Sequence, residues 1–152
     1  MKLGVRISLD VGTVRIGVAK CDAEGLLATP LTNVAAGPSA LQQVVDLVSE
    51  HDAVCVYIGK PVSLSGNDTA STNLAIDFAR NLSSLLADSS TIVRLIDERL
   101  STVSAQRGLR EAGRNTKQSR DAIDQAAAVV ILEHALDTER HSDGFAGEEV
   151  MG

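Results

Sequence analysis

The chain has 152 residues, of which 44% are apolar, 22% charged and only 2% aromatic. That is the composition of one globular domain with a core of Val, Ile, Leu and Ala, and it excludes a disordered chain and a base-stacking aromatic platform. The formal net charge of −6 argues against a generic polyanion binder, and no apolar run approaches the ~20 residues needed to cross a bilayer.

The first element is organised around Val5-Arg6-Ile7-Ser8-Leu9-Asp10-Val11-Gly12-Thr13-Val14-Arg15-Ile16-Gly17-Val18-Ala19. Apolar residues alternate up to Leu9 and resume at Ile16, which predicts strand, turn, strand, with Gly12 in the tight turn. Asp10 falls where the first strand ends. A carboxylate is costly to bury alone, so it must meet water, a helix N-terminus or a metal. Residues 26–34 predict a third strand of an antiparallel meander. Met1 to Gly4 lead straight into the first strand without a secretory pattern, and Cys21 and Cys55 fall within expected strands. Both features suit a cytoplasmic protein with buried, reduced thiols.

Leu41, Val44, Val45 and Val48 recur at helical spacing behind Ser39, a candidate N-cap, and predict a helix to about residue 50. The continuous apolar run 53–58 reads as a strand buried on both faces, hence central and parallel to a neighbour. The loop after it, Gly59-Lys60-Pro61 through Gly66, lies where open α/β sheets bind ligands. Lys60 is there either to meet a phosphate or as an ordinary surface lysine. A second helix is expected over about 69–87 with Leu74, Phe78, Leu82 and Leu85 on one face, and a strand over 91–96. Asp97-Glu98-Arg99-Leu100-Ser101-Thr102 follows, and Ser101 or Thr102 caps a helix closed by Gly113.

Residues 107–120 hold five basic side chains against one acid, with Arg110, Arg114 and Lys117 among them. This segment suits phosphate binding or a solvated face equally, and its stretch 114–120 reads as a mobile connection. The last helix is expected from Asp121 and is apolar nearly all round. Asp121 is accounted for by the helix dipole, whereas Asp124, beside the alanine run, needs another reason. Residues 133–152 carry six acids against one arginine. The expected boundaries are a domain over 1–137 and an acidic, disordered tail over 138–152.

This order of elements places Asp10, Glu98 and Asp124 at the ends of elements that converge beside a central first strand. Three such carboxylates repel one another unless they hold cations, and hard oxygen ligands suit Mg²⁺ or Mn²⁺. One or two ions so held can activate water for phosphodiester hydrolysis.

Together, Leu9-Asp10-Val11-Gly12-Thr13-Val14-Arg15-Ile16-Gly17-Val18-Ala19, the Gly59-Lys60-Pro61…Gly66 loop, Asp97-Glu98-Arg99-Leu100-Ser101-Thr102 and Ile123-Asp124-Gln125-Ala126-Ala127 resemble the YqgF/RuvX family over about residues 3–136. The resemblance implies a ribonuclease H-like α/β fold, with a mixed five-stranded sheet made of a three-strand meander and two parallel strands. It implies a metal-dependent nuclease of pre-16S rRNA 5′-end processing, related to RuvC-type Holliday-junction resolvases. Asp10, Glu98 and Asp124 would be its catalytic, metal-binding acids, and Arg15 and Arg99 would position substrate phosphate. RuvC-type resolvases carry an acid after the fourth strand, where this chain has Gly59-Lys60-Pro61, so Glu98 would serve from the next strand. Structured RNA, or branched DNA, is the expected partner, in a monomer or homodimer with no membrane attachment. Two other readings compete: a non-catalytic RNA-binding module of ribosome assembly, and the phosphate loop of actin-like ATPases, which Asp10-Val11-Gly12-Thr13 also resembles.

Overall fold

The computed structural model describes residues 3–61, 69–97, 117–142 and 144–150, and the side chains of 117–124 lie outside that description. Among the described residues, six strands and three helices follow in the order β1 (Arg6–Val11), β2 (Arg15–Cys21), β3 (Ala28–Ala35), α1 (Ala40–His51), β4 (Cys55–Lys60), α2 (Ala70–Leu85), β5 (Ile92–Asp97), α3 (Lys117–Arg140) and β6 (Glu148–Glu149). The sheet order is β3-β2-β1-β4-β5-β6. The meander β1-β2-β3 is antiparallel, while β1, β4 and β5 run parallel. The first strand is central, and all six of its residues are buried. The helix expected after residue 100 falls outside the described residues. None of the described helices is long and apolar enough to cross a membrane.

Strand pleating divides the core in two. Ile7, Leu9 and Val11 of β1, with Val56 and Ile58 of β4, pack under α1 and α2. The alternate positions of the sheet, including Ala19, Cys21, Cys55 and Tyr57, pack under α3 through Ala128, Ile131, Leu132, Ala135 and Leu136. Alternation along each strand therefore assigns every strand residue to one helical layer or the other.

Three local expectations change. Ser39 stands at the N-cap of α1 but makes no cap bond; its hydroxyl accepts from Gln43 Nε2 at 2.9 Å instead. The buried stripe of α2 is Thr72, Ala75, Ala79 and Leu82, while Leu85 is 53% exposed. Small residues let that helix approach the sheet closely, so the larger Leu74 and Phe78 pack at its side. The third change is in α3, which begins at Lys117, inside the expected mobile connection, and continues to Arg140.

The sheet also has six strands rather than the expected five, and the sixth comes from the acidic C-terminal stretch. Residues 148–149 pair antiparallel with β5, and Ala146 is buried. Gly147 makes this possible. Its φ is +73°, and a Cβ there would run into the Leu95 carbonyl oxygen. Arg94 donates from Nε to the Ala146 carbonyl at 2.6 Å and also bonds the Gly147 carbonyl.

Beneath α3 lies a buried ionic network. Arg6 is fully buried and Glu139 is 3% exposed. The guanidinium donates to both carboxylate oxygens, Nη2 to Oε1 at 2.8 Å and Nε to Oε2 at 3.2 Å. Tyr57 donates its hydroxyl to Glu139 Oε2 at 2.7 Å and accepts from the Ala146 amide at 3.0 Å. Arg6 also bonds the Gly4 carbonyl and lies 5.5 Å from the centroid of the Phe145 ring. Burial pushes the Tyr57 hydroxyl up, helped by Cys55 and by the bond to Glu139. Burial likewise raises both free thiols, Cys21 and Cys55.

Two outcomes follow from this packing. Replacing Glu139 with Ala takes the bidentate carboxylate from a buried guanidinium and should lower unfolding free energy by about 3–5 kcal/mol in urea titration. Both thiols should resist a thiol reagent at pH 8 in the native protein and react once it is unfolded. Because their pKa values are raised by folding, their contribution to stability is intact below the ordinary thiol range and falls away as pH climbs beyond it.

Candidate functional site

Asp10 is 8% exposed and sits one residue before the end of β1, at the carboxyl edge shared by the parallel strands. The turn that follows is tight: Gly12 donates its amide to the Arg15 carbonyl at 2.9 Å. A Cβ on Gly12 would lie 2.7 Å from that oxygen, so this position requires glycine, as the sequence predicts.

Alternation with Leu9 puts Asp10 on the side of the sheet that faces α3. That helix is fixed to β1 at two points, Glu139 to Arg6 and the Ala128 carbonyl to Ser8 Oγ at 2.6 Å. It therefore runs antiparallel to the strand. From Ser8 to Asp10 the strand advances about 6.6 Å, and from Ala128 back to position 124 the helix advances about 6 Å in the same direction. Asp10 and helix position 124 are thus brought level at one end of the sheet. The helix backbone carries Asp124 there; its side chain is outside the described residues.

The strands beside Asp10 contribute no side chain next to it. Gly17 of β2 is its direct partner in register. On the other side Leu9 pairs with Ile58, so the next position along β4 is Gly59. Both glycines belong to the sequence motifs, but their role in flanking a carboxylate becomes readable only once strand register is known. Ser8 escaped the sequence reading for the same reason.

Arg15 opens β2, half-buried, two residues before Gly17 and hence on Asp10's side of the sheet. Lys60 is not gathered with them. It is in register with Asp97 and shares the α1/α2 side with Ile58 and Leu95. Its Nζ lies 3.8 Å from Glu148 Oε2. Asp97 is by the same register on the side away from Asp10. Glu98, Arg99, Arg110 and Arg114 lie outside the described residues, and Lys117 is the first residue of α3, its side chain undescribed. Among the described residues no three His, Cys, Asp or Glu side chains are grouped as for a metal.

The geometry offers a buried carboxylate at a sheet edge, a neighbouring helix end brought level with it, and an arginine on the same side. A hard cation and a phosphate are the ligands that such groups attract.

Residues 4–138 match the family model described as "RuvX: Holliday junction resolvase". A protein of Clavibacter sepedonicus named "Putative pre-16S rRNA nuclease" is 49% identical over 144 residues, covering 92% of this chain and 87% of that one. One of the same name from Leifsonia xyli is 47% identical over 152 residues, covering 99% and 96%. Among solved structures, Thermus thermophilus RuvC in complex with a Holliday junction substrate superposes with a TM-score of 0.58 at 12% identity, over 97% of this chain and 99% of that one. At that identity the match shows the fold, which is the ribonuclease H-like one.

Replacing Ser8 with Ala removes the bond that ties α3 to β1 nearest Asp10. The Ala128 carbonyl keeps its place in the helix ladder, so the expected loss is only about 1 kcal/mol, read from urea unfolding.

Proposed function

Because the chain belongs to the RuvX family, we propose that it is a nuclease that hydrolyses phosphodiester bonds in the 5′-end processing of pre-16S rRNA, in the cytoplasm. One observation carries the site assignment: Asp10, buried at the end of the central strand, faces α3 at the level of position 124. Asp10, Glu98 and Asp124 are the acids of this site. The register of β5 speaks against Asp97, which lies on the side of the sheet away from Asp10.

Three carboxylates form an all-oxygen donor set that suits Mg²⁺ or Mn²⁺, and the absence of side chains at Gly17 and Gly59 suits a ligand that must approach Asp10 closely. Such a cation would supply an activated water and charge stabilisation at the phosphoryl group. Asp10, Glu98 and Asp124 would hold it. Arg15, on the same side of the sheet, meets the non-bridging phosphate oxygens, joined by Arg99. Arg110, Arg114 and Lys117 bind the backbone further along.

A second reading, resolution of branched DNA, is favoured by the description of the family model and by the RuvC fold. The two readings part when pure protein is given precursor rRNA and a four-way DNA junction side by side, with Mn²⁺, Mg²⁺ or EDTA.

The decisive variants are Asp10→Asn and Asp97→Asn. The first should cut cleavage by more than about 100-fold, since even partners of metal ligands cost 10–100-fold, while the protein stays folded by thermal melting. Asp97→Asn, half-buried on the other side of the sheet, should stay within about fivefold of the unmodified protein. If Asp10→Asn cleaves normally while folded, the nuclease site is not here. If Asp97→Asn is the inactive one, the pairing of sides given above is wrong.

A further inference from the structure

The carboxyl edge of the sheet has a second cationic feature, on the side away from Asp10. Lys60 at the end of β4, Ile76 and Arg80 one turn apart on α2, Leu95 of β5, and Glu148, Glu149 and Val150 beside it enclose a groove of about 230 Å³. The groove is too small for a drug-sized ligand, which needs ~300 Å³ or more. It has room for a single charged group with apolar atoms beside it. Its cations come from two different elements and its floor is Leu95 and Ile76. Two glutamates oppose an anion there, and Glu148, in register with Leu95, is the one that shares the groove's side of the sheet, while Glu149 is in register with Arg94.

Glu148 is held in place by its backbone. It pairs with Leu95, Gly147 before it is bonded to Arg94, and Val150 after it donates to the Val93 carbonyl at 2.9 Å and accepts from Ser83 Oγ at 2.9 Å. The carboxylate nevertheless stays 3.8 Å from Lys60 Nζ, and the two side chains are 70% and 26% exposed. That distance is beyond hydrogen-bonding range, and an exposed pair of this kind is weak. Glu148 occupies the lysine without satisfying its donors.

The geometry points to a backbone-phosphate subsite in this groove: Lys60 and Arg80 take a phosphate of the nucleic-acid strand next to the one at Asp10, and that phosphate displaces the Glu148 carboxylate. The subsite rests on the nuclease reading for its ligand, but its chemistry is that of any phosphodiester. A strand that crosses the carboxyl edge would be held on both sides of the sheet, with Arg15 on one and Lys60 with Arg80 on the other. Binding there carries no base information.

The test is equilibrium binding of an end-labelled RNA hairpin in EDTA across a salt series, with cleavage of the same RNA in Mn²⁺ measured separately. Lys60→Ala and Arg80→Ala should each weaken binding and lower the salt slope by about 1. Glu148→Gln should tighten binding about two- to fivefold, the range of an exposed ion pair. That gain should vanish in the Lys60→Ala background. Glu133→Gln, an exposed acid on α3, controls for net charge and should give the same small effect in both backgrounds. An unchanged salt slope in Lys60→Ala and Arg80→Ala overturns the subsite. So does a Glu148→Gln gain that survives Lys60→Ala, because the acid then acts only through overall charge. Failure of the nuclease reading shows elsewhere, as cleavage that is absent in Mn²⁺ or indifferent to Asp10→Asn while the binding results stand.

Discussion

The structure depends on one buried ion pair. Arg6 and Glu139 are closed off between the sheet and α3, with Tyr57 sharing the carboxylate. Burying two charges carries a large desolvation penalty, and their mutual attraction offsets it only when geometry and remaining donors are satisfied. Here they are: the pair is bidentate, Gly4 takes a further guanidinium donor, and Phe145 packs against the cation. The network adds little net stability over an apolar substitute. Its effect is positional. The apolar surface of α3 is a nearly featureless run of Ala, Val, Ile and Leu, on which a helix could slide by a turn at small cost. A buried charge whose partners are fixed in place forbids that slide. The network lies at the opposite end of β1 from Asp10, yet it sets where the start of α3 comes to rest.

Pleating then does the remaining sorting. Along β1 the sequence Arg6, Ser8, Asp10 forms one side, and each residue engages or faces α3 in turn: an ion pair, a hydroxyl to a helix carbonyl, and a carboxylate level with position 124. Ile7, Leu9 and Val11 form the other side and fill the core under α1 and α2. The same rule assigns Arg15 and Gly17 to the Asp10 side and Lys60 and Asp97 to the opposite one. Residues adjacent in sequence are separated by the full thickness of the sheet.

Much of this was legible beforehand, because apolar periodicity reports burial directly. The meander, the central β1, the buried run at 53–58 and the apolar α3 all carry that signal. What stayed illegible involves polar residues buried for a tertiary reason. Arg6 reads as a solvated strand residue, and Glu139 as one of many acids in a polar tail, since their pairing spans 133 residues. The sixth strand was missed because Gly147-Glu148-Glu149 has neither alternation nor apolar content. It forms through backbone bonding to an open sheet edge, anchored by Ala146 and Phe145 on one side and Val150 on the other. At the site, Asp10 could be found from the break in alternation, while the placement of Asp97 on the far side of the sheet required a register that composition does not encode. The expected set of three acids is represented among the described side chains by Asp10 alone.

Gly147 has a wider consequence than its place in a turn. It allows the chain to fold back so that residues 148–150 cover the outer side of β5. Without that cover, β5 would present a row of open amides and carbonyls flanked by Ile92, Val93, Leu95 and Ile96, the kind of surface on which a second chain can add a strand. The two glutamates that complete the cover are poor partners for another copy, because stacked carboxylates repel. The far margin of the sheet is guarded differently, with an exposed Pro30 in β3 and a shift in the β2-β3 register. One conformationally unusual glycine thus bears on the colloidal behaviour of the whole molecule: it decides whether this side of the sheet ends within the chain or continues into its neighbours.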